Sequence, residues 1–320
     1  MKAAVLHELG KPPRYEEFAE PGAEENEAFV QVRAASLKSV DRQLASGTHF
    51  ASPRQLPAIC GTDGVGILPN GTRVFFGGPR RPFGAMAQRT VAPAAYCFPI
   101  PDALDDATAA ALPNPGVSAY LSISQRAKLA KGEKVLILGA TGVTGKLAVQ
   151  IAKRLGPERV VASGRNPAAL EKLRDLGADV TIQLNQPDTD LKNAFAREAA
   201  DGAFHVVIDY VWGRPAEIFL AAITRPEFAL ANAETRFVQV GESAGPTILL
   251  PAAVLRSTAL TILGTAGIPS HDVLVAAMKQ VLDWGAQGAL HIETESVPLA
   301  DIENIWQRPE TSGRRLVVLP

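Results

Sequence analysis

The apolar positions of this chain change their period as the chain advances. From residue 1 to about 115 they fall in short runs, at 2–6, 29–35, 64–68, 73–76 and 87–91, parted by turn residues such as Pro69-Asn-Gly71. Short β-type runs punctuated by glycine and proline predict strands, so this stretch reads as mostly β. From about residue 116 strand-like and helix-like patterns alternate. Strands are predicted at 134–138, 159–163, 179–183, 205–209, 236–240 and 259–263, and helices at 144–155, 167–176, 188–199, 214–222 and 271–286. That alternation predicts an α/β domain with a parallel, doubly wound sheet. The tail from about residue 264 carries the last of those helices, strand-like pieces at 291–295 and 315–319, and a short helix at 299–307. The chain therefore divides at 1–115, 116–263 and 264–320, the last part completing the α/β domain and returning to the β domain.

The densest chemical signal lies inside the second part. Lys134-Val-Leu-Ile-Leu138 is an apolar run of the kind that is covered on both faces of a sheet. It leads into Gly139-Ala-Thr141-Gly142-Val143-Thr144-Gly145, with three glycines at a spacing of three. Such a turn lets backbone approach a pyrophosphate, and the following helix points free N–H groups and its positive dipole end at it. The next strand ends in Ser163-Gly-Arg165-Asn166 with no acid. An NAD site places Asp or Glu about twenty residues past the first glycine. A hydroxyl, a glycine and a guanidinium suit a 2′-phosphate instead, so NADPH is expected, with Ser163, Arg165 and Asn166 around the phosphate. The plainer reading of Arg165 is a solvated loop residue.

Composition narrows the function classes. The formal net charge is −1 and charges of both signs are interspersed, which leaves no electrostatic footprint for nucleic acid or an anionic membrane. No apolar run reaches the roughly 18 residues of a membrane span, and the opening residues lack the apolar stretch of a secretory signal. Two cysteines, Cys60 and Cys97, make no disulfide framework, so a reducing, cytoplasmic setting is expected.

Several segments, in order, resemble the medium-chain dehydrogenase/reductase superfamily. They are Met1-Lys-Ala-Ala-Val5, Ser39-Val-Asp41-Arg-Gln-Leu-Ala-Ser-Gly47, Gly61-Thr-Asp-Gly-Val-Gly66, Gly71-Thr-Arg-Val74, Gly84-Ala-Met-Ala87 and Ala109-Ala-Ala-Leu-Pro-Asn-Pro-Gly116-Val-Ser-Ala-Tyr120, then Leu260-Thr-Ile-Leu-Gly264 and Pro298-Leu-Ala-Asp-Ile302. The resemblance runs the full length and implies a GroES-like catalytic domain followed by a Rossmann domain. Extended short-chain reductases share a similar glycine turn, but theirs lies near the N-terminus. Zinc alcohol dehydrogenases of the superfamily hold their metal through a Cys in the region of Lys38 and a His-Glu pair in the region of Thr62-Asp63. This chain has neither, and it passes from Gly78 to Gly84 without the four-cysteine lobe. No metal is expected, because Cys60, Cys97 and the scattered His7, His49, His205, His271 and His291 do not stand at ligand spacing.

The resemblance then points to the zinc-free branch, the NADPH quinone oxidoreductases and enone reductases. It implies hydride transfer to a small-molecule quinone or α,β-unsaturated carbonyl, in a homodimer. Relatives commonly carry Asn where Lys38 stands, and some carry Tyr where Gln43 stands. Lys38 is therefore read as a donor to a substrate carbonyl, as a support for the cofactor, or as a surface cation, and His49 as a candidate proton donor. Asn114 and Ser118 are expected near the nicotinamide. Val240-Gly241 and Gly264-Thr265 end strands at the carboxyl edge of the sheet, where ligands bind. Tyr210 and Trp212 either line the cofactor groove or pack in the core. The alternative to an enzyme is an NADPH-binding, redox-responsive or interaction protein with little turnover.

Overall fold

A computed structural model describes residues 1–200, 203–224, 234–265, 270–308 and 313–320 of the 320-residue chain. The chain forms two compact units, one made of Met1–Asn114 with Asp272–Pro320, the other of Pro115–His271.

The unit of residues 115–271 holds a six-stranded, all-parallel sheet. In chain order its strands are Lys134–Leu138, Arg159–Gly164, Val180–Gln183, Val206–Asp209, Thr235–Gln239 and Leu260–Gly264. In space they run third, second, first, fourth, fifth, sixth. This is the dinucleotide-fold order, in which the sequence of strands reverses between the first and the fourth. The first strand is buried throughout and paired on both sides, as its unbroken apolar run requires. Helix Val143–Leu155 follows it and stops at Gly156, whose φ of 77° is left-handed. Helix Pro167–Asp175 starts on Asn166, whose side chain accepts from the N–H groups of Ala168 and Ala169, with proline in its first turn. Phe195 and Phe204 meet Phe219 edge to face, Phe219 lies tilted on Phe237 of the fifth strand, and the four rings fill the core there.

The other unit is built on a seven-stranded sheet and a smaller three-stranded one. Its long strand Glu27–Leu37 pairs antiparallel with Asp63–Ile67, Arg89–Pro93 and Arg314–Leu319. The tail therefore does return here, with Val317 opposite Ser36 and Val318 opposite Ala35. It supplies Val297, Leu299, Ile302, Ile305, Leu316 and Val318 to the core of this unit. The return begins earlier than an α/β completion over 264–320 implies. Helix His271–Ala286 packs Gly285 on Leu112 and Leu104, where an added Cβ would lie 2.5 Å from Leu112. The parallel sheet is complete at its sixth strand, so the helix after it is free to join the β unit.

Sequence periodicity passes over several short elements. Strand Arg14–Glu17 and helices Ser39–Ser46 and Asp106–Ala111 have too few residues to show a period. Helix Pro113–Leu121 carries two prolines in its first turn, where their missing N–H groups cost nothing.

Two glycines decide the fit of the turn after the first strand. Gly139 has φ 81°, and a Cβ there would lie 2.6 Å from Val211. A Cβ on Gly145 would lie 2.3 Å from the carbonyl oxygen of Gly139 and 2.6 Å from Ala140 Cα, both backbone that cannot swing aside. Gly145→Ala is expected to lower the stability of this unit by about 1–3 kcal/mol through overpacking. Urea denaturation followed by fluorescence checks it, and a variant as stable as the wild type would show that the helix can shift at no cost.

Candidate functional site

Three strand ends meet where the parallel sheet reverses its order. The glycine turn leaves the first strand, Tyr210 to Gly213 leave the fourth, and Val240-Gly241 leave the fifth. The backbones are in contact, since Val240 and Gly241 donate to the Asp209 carbonyl at 2.8 and 3.1 Å. A Cβ on Gly241 would lie 2.7 Å from the Tyr210 carbonyl oxygen. Gly142 caps helix Val143–Leu155 in extended conformation with no side-chain cap, and the first turn holds no acid. Its N–H groups and dipole end are thus left to an anion. A Cβ on Gly142 would find only the Gly139 oxygen at 3.6 Å, so backbone can be approached closely there. Val143 and Thr144 are half-buried beside it. These residues fit a dinucleotide pyrophosphate.

The end of the second strand sorts its three candidates. Ser163 is fully buried and donates to the Ile137 carbonyl at 3.3 Å, so its hydroxyl braces the sheet and does not reach a 2′-phosphate. The strand is covered on both faces, and its last side chain turns inward. Asn166 uses its side-chain oxygen as the helix cap, at 3.0 and 3.3 Å from Ala168 and Ala169 N. Arg165 is exposed and has no hydrogen-bond or ion-pair partner among the described residues. Thr141 is buried and fills the space beside Gly164, where a Cβ would lie 2.4 Å from its methyl carbon.

Asp209, at the end of the fourth strand, is a residue that pattern reading overlooked, and its signal was an acid closing an apolar run. It is fully buried, and its Oδ1 accepts from Val211 and Trp212 N at 2.8 and 3.0 Å. These bonds hold the turn in which Trp212 takes a φ of 54°. Burial pushes the Asp209 carboxyl up to about 6 against those two bonds. Trp212 is half-buried and packs edge-on against Phe237 of the core. The Tyr210 hydroxyl is buried with no partner among the described residues, and burial raises its pKa. Gly264, at the far edge of the sheet, accepts from Arg126 Nε at 2.8 Å, and Thr265 beside it is half-buried.

In the β unit the prominent cluster surrounds Lys38. The residue caps helix Ser39–Ser46 and is only 2% exposed. Its ammonium lies 2.8 Å from Asp63 Oδ1, 3.2 Å from Asp41 Oδ2 and 3.1 Å from the Ser36 carbonyl. Asp41 also accepts from Lys38 N at 2.9 Å and from the N–H and hydroxyl of Thr62 at 3.1 and 3.2 Å. Asn114 Nδ2 is 3.4 Å from Asp63 Oδ2. Burial disfavours the ammonium, and the two carboxylates more than reverse that, so Lys38 stays charged. A surface cation is thereby ruled out, and so is a free donor to substrate, because the three N–H bonds are spent inside the protein. The donor set does not suit zinc: a cation stands where a thiolate would, and Thr62 has no imidazole. Among the described residues no group of three or more His, Cys, Asp or Glu could hold a metal ion.

His49 lies on the loop after that helix, half-buried and stacked on an exposed Phe50 with ring centroids 4.3 Å apart. Its Nδ1 accepts from Ala51 N at 3.1 Å, which leaves Nε2 as the N–H donor in the neutral ring. Ser118 is exposed one turn beyond Asn114 on helix Pro113–Leu121.

A parallel sheet in dinucleotide order with a glycine-rich first turn, joined to a β unit by both ends of the chain, defines a nucleotide-dependent oxidoreductase of the medium-chain dehydrogenase/reductase class. Residues 143–286 match the family described as zinc-binding dehydrogenase. The chain is 28% identical to a probable NADPH-dependent quinone reductase of Emericella nidulans, over 100% of both chains. It is 32% identical to a trans-enoyl reductase of Aspergillus terreus, over 68% of this chain and 62% of that one. The fold superposes on Escherichia coli quinone oxidoreductase complexed with NADPH with a TM-score of 0.85, at 21% identity and 100% coverage of both. Within the class, the full-length similarity is to a quinone reductase.

The buried acid at the fourth strand has a measurable signature. Its folded pKa is raised from the ordinary 3.8 to about 6. The stabilising contribution is therefore complete below about pH 4 and is lost as pH rises through about 6, a change of up to about 3 kcal/mol. Asp209→Asn keeps the Oδ1 acceptor and removes the charge. Relative to wild type the variant should gain stability between pH 5 and pH 8, read from urea midpoints at the two pH values. Parallel pH profiles would mean that Asp209 is solvated.

Proposed function

We propose that the protein is an NADPH-dependent, zinc-independent oxidoreductase that transfers a hydride to a quinone or an α,β-unsaturated carbonyl. The observation that carries the cofactor reading is Arg165, exposed and unpaired directly after the second strand of a dinucleotide-order sheet whose strand end lacks an acid. The glycine turn and helix Val143–Leu155 would hold the pyrophosphate, and Arg165 the 2′-phosphate, with the amide of Asn166 beside it. When bound, NADPH supplies the hydride. The protein then has to orient the two reactants, exclude water and donate a hydrogen bond to the acceptor oxygen.

The Lys38 cluster supports the substrate class. Its ammonium is neutralised by Asp41 and Asp63, so it offers no Lewis acid to lower the pKa of an alcohol. An acceptor that is already electrophilic needs none. The similarity to quinone and enoyl reductases points the same way. His49 Nε2–H is the candidate donor to the acceptor oxygen. A second reading, an NADPH-binding redox-responsive protein, rests on the same fact that Lys38 spends its donors internally. Both cysteines are free thiols, in keeping with a reducing setting such as the cytoplasm.

The assay that separates these readings supplies NADPH with 1,4-benzoquinone, 9,10-phenanthrenequinone and an enal, and NADP⁺ with primary and secondary alcohols. Quinone or enal reduction is expected, unchanged after dialysis against a chelator, with alcohol oxidation much slower. Alcohol oxidation restored by zinc would overturn the proposal, and NADPH binding with no turnover would favour the second reading.

Arg165→Ala is expected to weaken NADPH binding by about tenfold to a hundredfold, the worth of a charged hydrogen bond, and to leave NADH nearly unchanged. Equal losses for both cofactors, by fluorescence titration, would remove the assignment.

The outer strand of the parallel sheet is Leu260–Gly264, with Ile262 37% exposed, and Leu249 and Leu255 are exposed in the residues before it. An apolar edge of this kind seeks a partner. A twofold homodimer through this edge is expected. Light scattering at micromolar concentration should report the mass of two 33.8 kDa chains, and a monomer would refute it.

A further inference from the structure

The turn after the fourth strand, from Tyr210 to Gly213, is held in a shape that its residues do not favour. Trp212 has φ 54° and ψ −155°, a region that glycine populates and that strains any other residue. Gly213 follows, also with φ 54°. Such strain persists only where the surroundings impose it. The imposing group is Asp209, fully buried at the strand end, whose Oδ1 accepts from the N–H groups of both Val211 and Trp212. An Asp that bonds backbone two and three residues on builds a turn from its own side chain. Its Oδ2 is shut off from solvent and has no partner among the described residues. Burying a carboxyl with one oxygen unmet is unfavourable, so the two bonds at the other oxygen carry the reason for an acid here.

This turn bears directly on the glycine turn. Asp209 stands opposite Leu138, the residue before Gly139, in the parallel pairing. Tyr210 N donates to the Leu138 carbonyl at 3.1 Å. Val211 is buried, and its Cγ1 fills the space beside Gly139, where a Cβ would lie 2.6 Å from it. On the other side, Ala140 N donates to the Ser163 carbonyl of the second strand at 2.7 Å. The glycine turn is thus gripped from two sides, and the grip from the fourth strand passes through Val211. The residues after the fifth strand lean on the same support: Ala244 N donates to the Val211 carbonyl at 2.7 Å, and Ser243 Oγ to that of Tyr210 at 3.2 Å.

We propose that Asp209 is a positioning residue for the dinucleotide. By fixing Val211 and Trp212 it sets the path of the glycine turn, and so the fit of the cofactor's pyrophosphate. The carboxyl is covered by protein and touches no ligand; its effect runs through the backbone it holds. The inference rests on the reading that NADPH binds at this turn. Arg165 is a separate anchor at the end of the second strand. Asp209 therefore governs the pyrophosphate and not the 2′-phosphorylated adenosine.

The test measures binding of NADPH and of 2′-AMP by titration calorimetry. 2′-AMP carries the adenosine and the 2′-phosphate and lacks the pyrophosphate. Asp209→Ala should weaken NADPH about tenfold or more, the scale of a small misplacement of a binding group, and leave 2′-AMP unchanged. Asp209→Asn keeps the Oδ1 acceptor and should bind NADPH as the wild type does. An equal loss for both ligands would mean a general weakening of the unit and would overturn the proposal. So would full NADPH affinity in Asp209→Ala, or a loss in Asp209→Asn as large as that in Asp209→Ala. If Asp209→Ala does not fold, Val211→Ala takes its place, because it removes the packing against Gly139. It should weaken NADPH about threefold or more with 2′-AMP unchanged, and wild-type affinity there would overturn the proposal. A wild type that binds no NADPH would fail the cofactor reading and take this inference with it. A wild type that binds, matched by its variants, would fail this inference alone.

Discussion

One buried ammonium holds the β unit's polar cluster in place. Lys38 stands at the end of the long strand Glu27–Leu37, and its partners come from the helix that follows, at Asp41, and from the start of strand Asp63–Ile67. Ser36 and Thr62 complete the set. Each carboxylate is paid its desolvation cost only while the cation is present. Losing one partner of such a group costs about 3–5 kcal/mol, because the other charge stays buried and unpaired. The cluster therefore ties two strands and a helix through two ion pairs and the backbone groups of Ser36, Lys38 and Thr62.

The parallel unit solves a different problem. Its first strand is buried on both faces, so only the strand ends and the turns after them can meet a ligand. The sheet reverses its order between Lys134–Leu138 and Val206–Asp209, and the turns after these two strands contact each other through Gly139 and Val211. No side chain could occupy Gly145 without displacing backbone, and one on Gly139 would run into the Val211 side chain from a left-handed φ. The same close fit leaves the helix start uncapped and its N–H groups available. Asp209 braces the opposite turn from beneath, at the cost of a carboxyl that resists ionisation.

The roles of charged residues follow from what remains unpaired. Lys38 has both its acids and is a structural cation. Arg165 has none and lies in solvent, ready for a phosphate. Charge alone does not separate these two, and pairing together with burial does.

The repeating elements were legible in the chain itself. The run at 134–138 is a strand with those bounds, and the helix at 271–286 likewise, because each is long or apolar enough for periodicity to speak. The glycine turn and the missing acid after Ser163 were equally readable, since both depend on residue type at a fixed spacing. The direction of a side chain at a strand end was not. Ser163 turned into the sheet while Arg165 stayed outside, a choice made by the layers packed on either face. Nor could the sequence place Lys38, whose partner Asp63 stands 25 residues away and meets it only through sheet pairing. Local pattern determined which elements form and which cofactor chemistry they suit. Tertiary structure decided which charges are paired, because the partners that neutralise a buried group are brought together by packing and not by nearness along the chain.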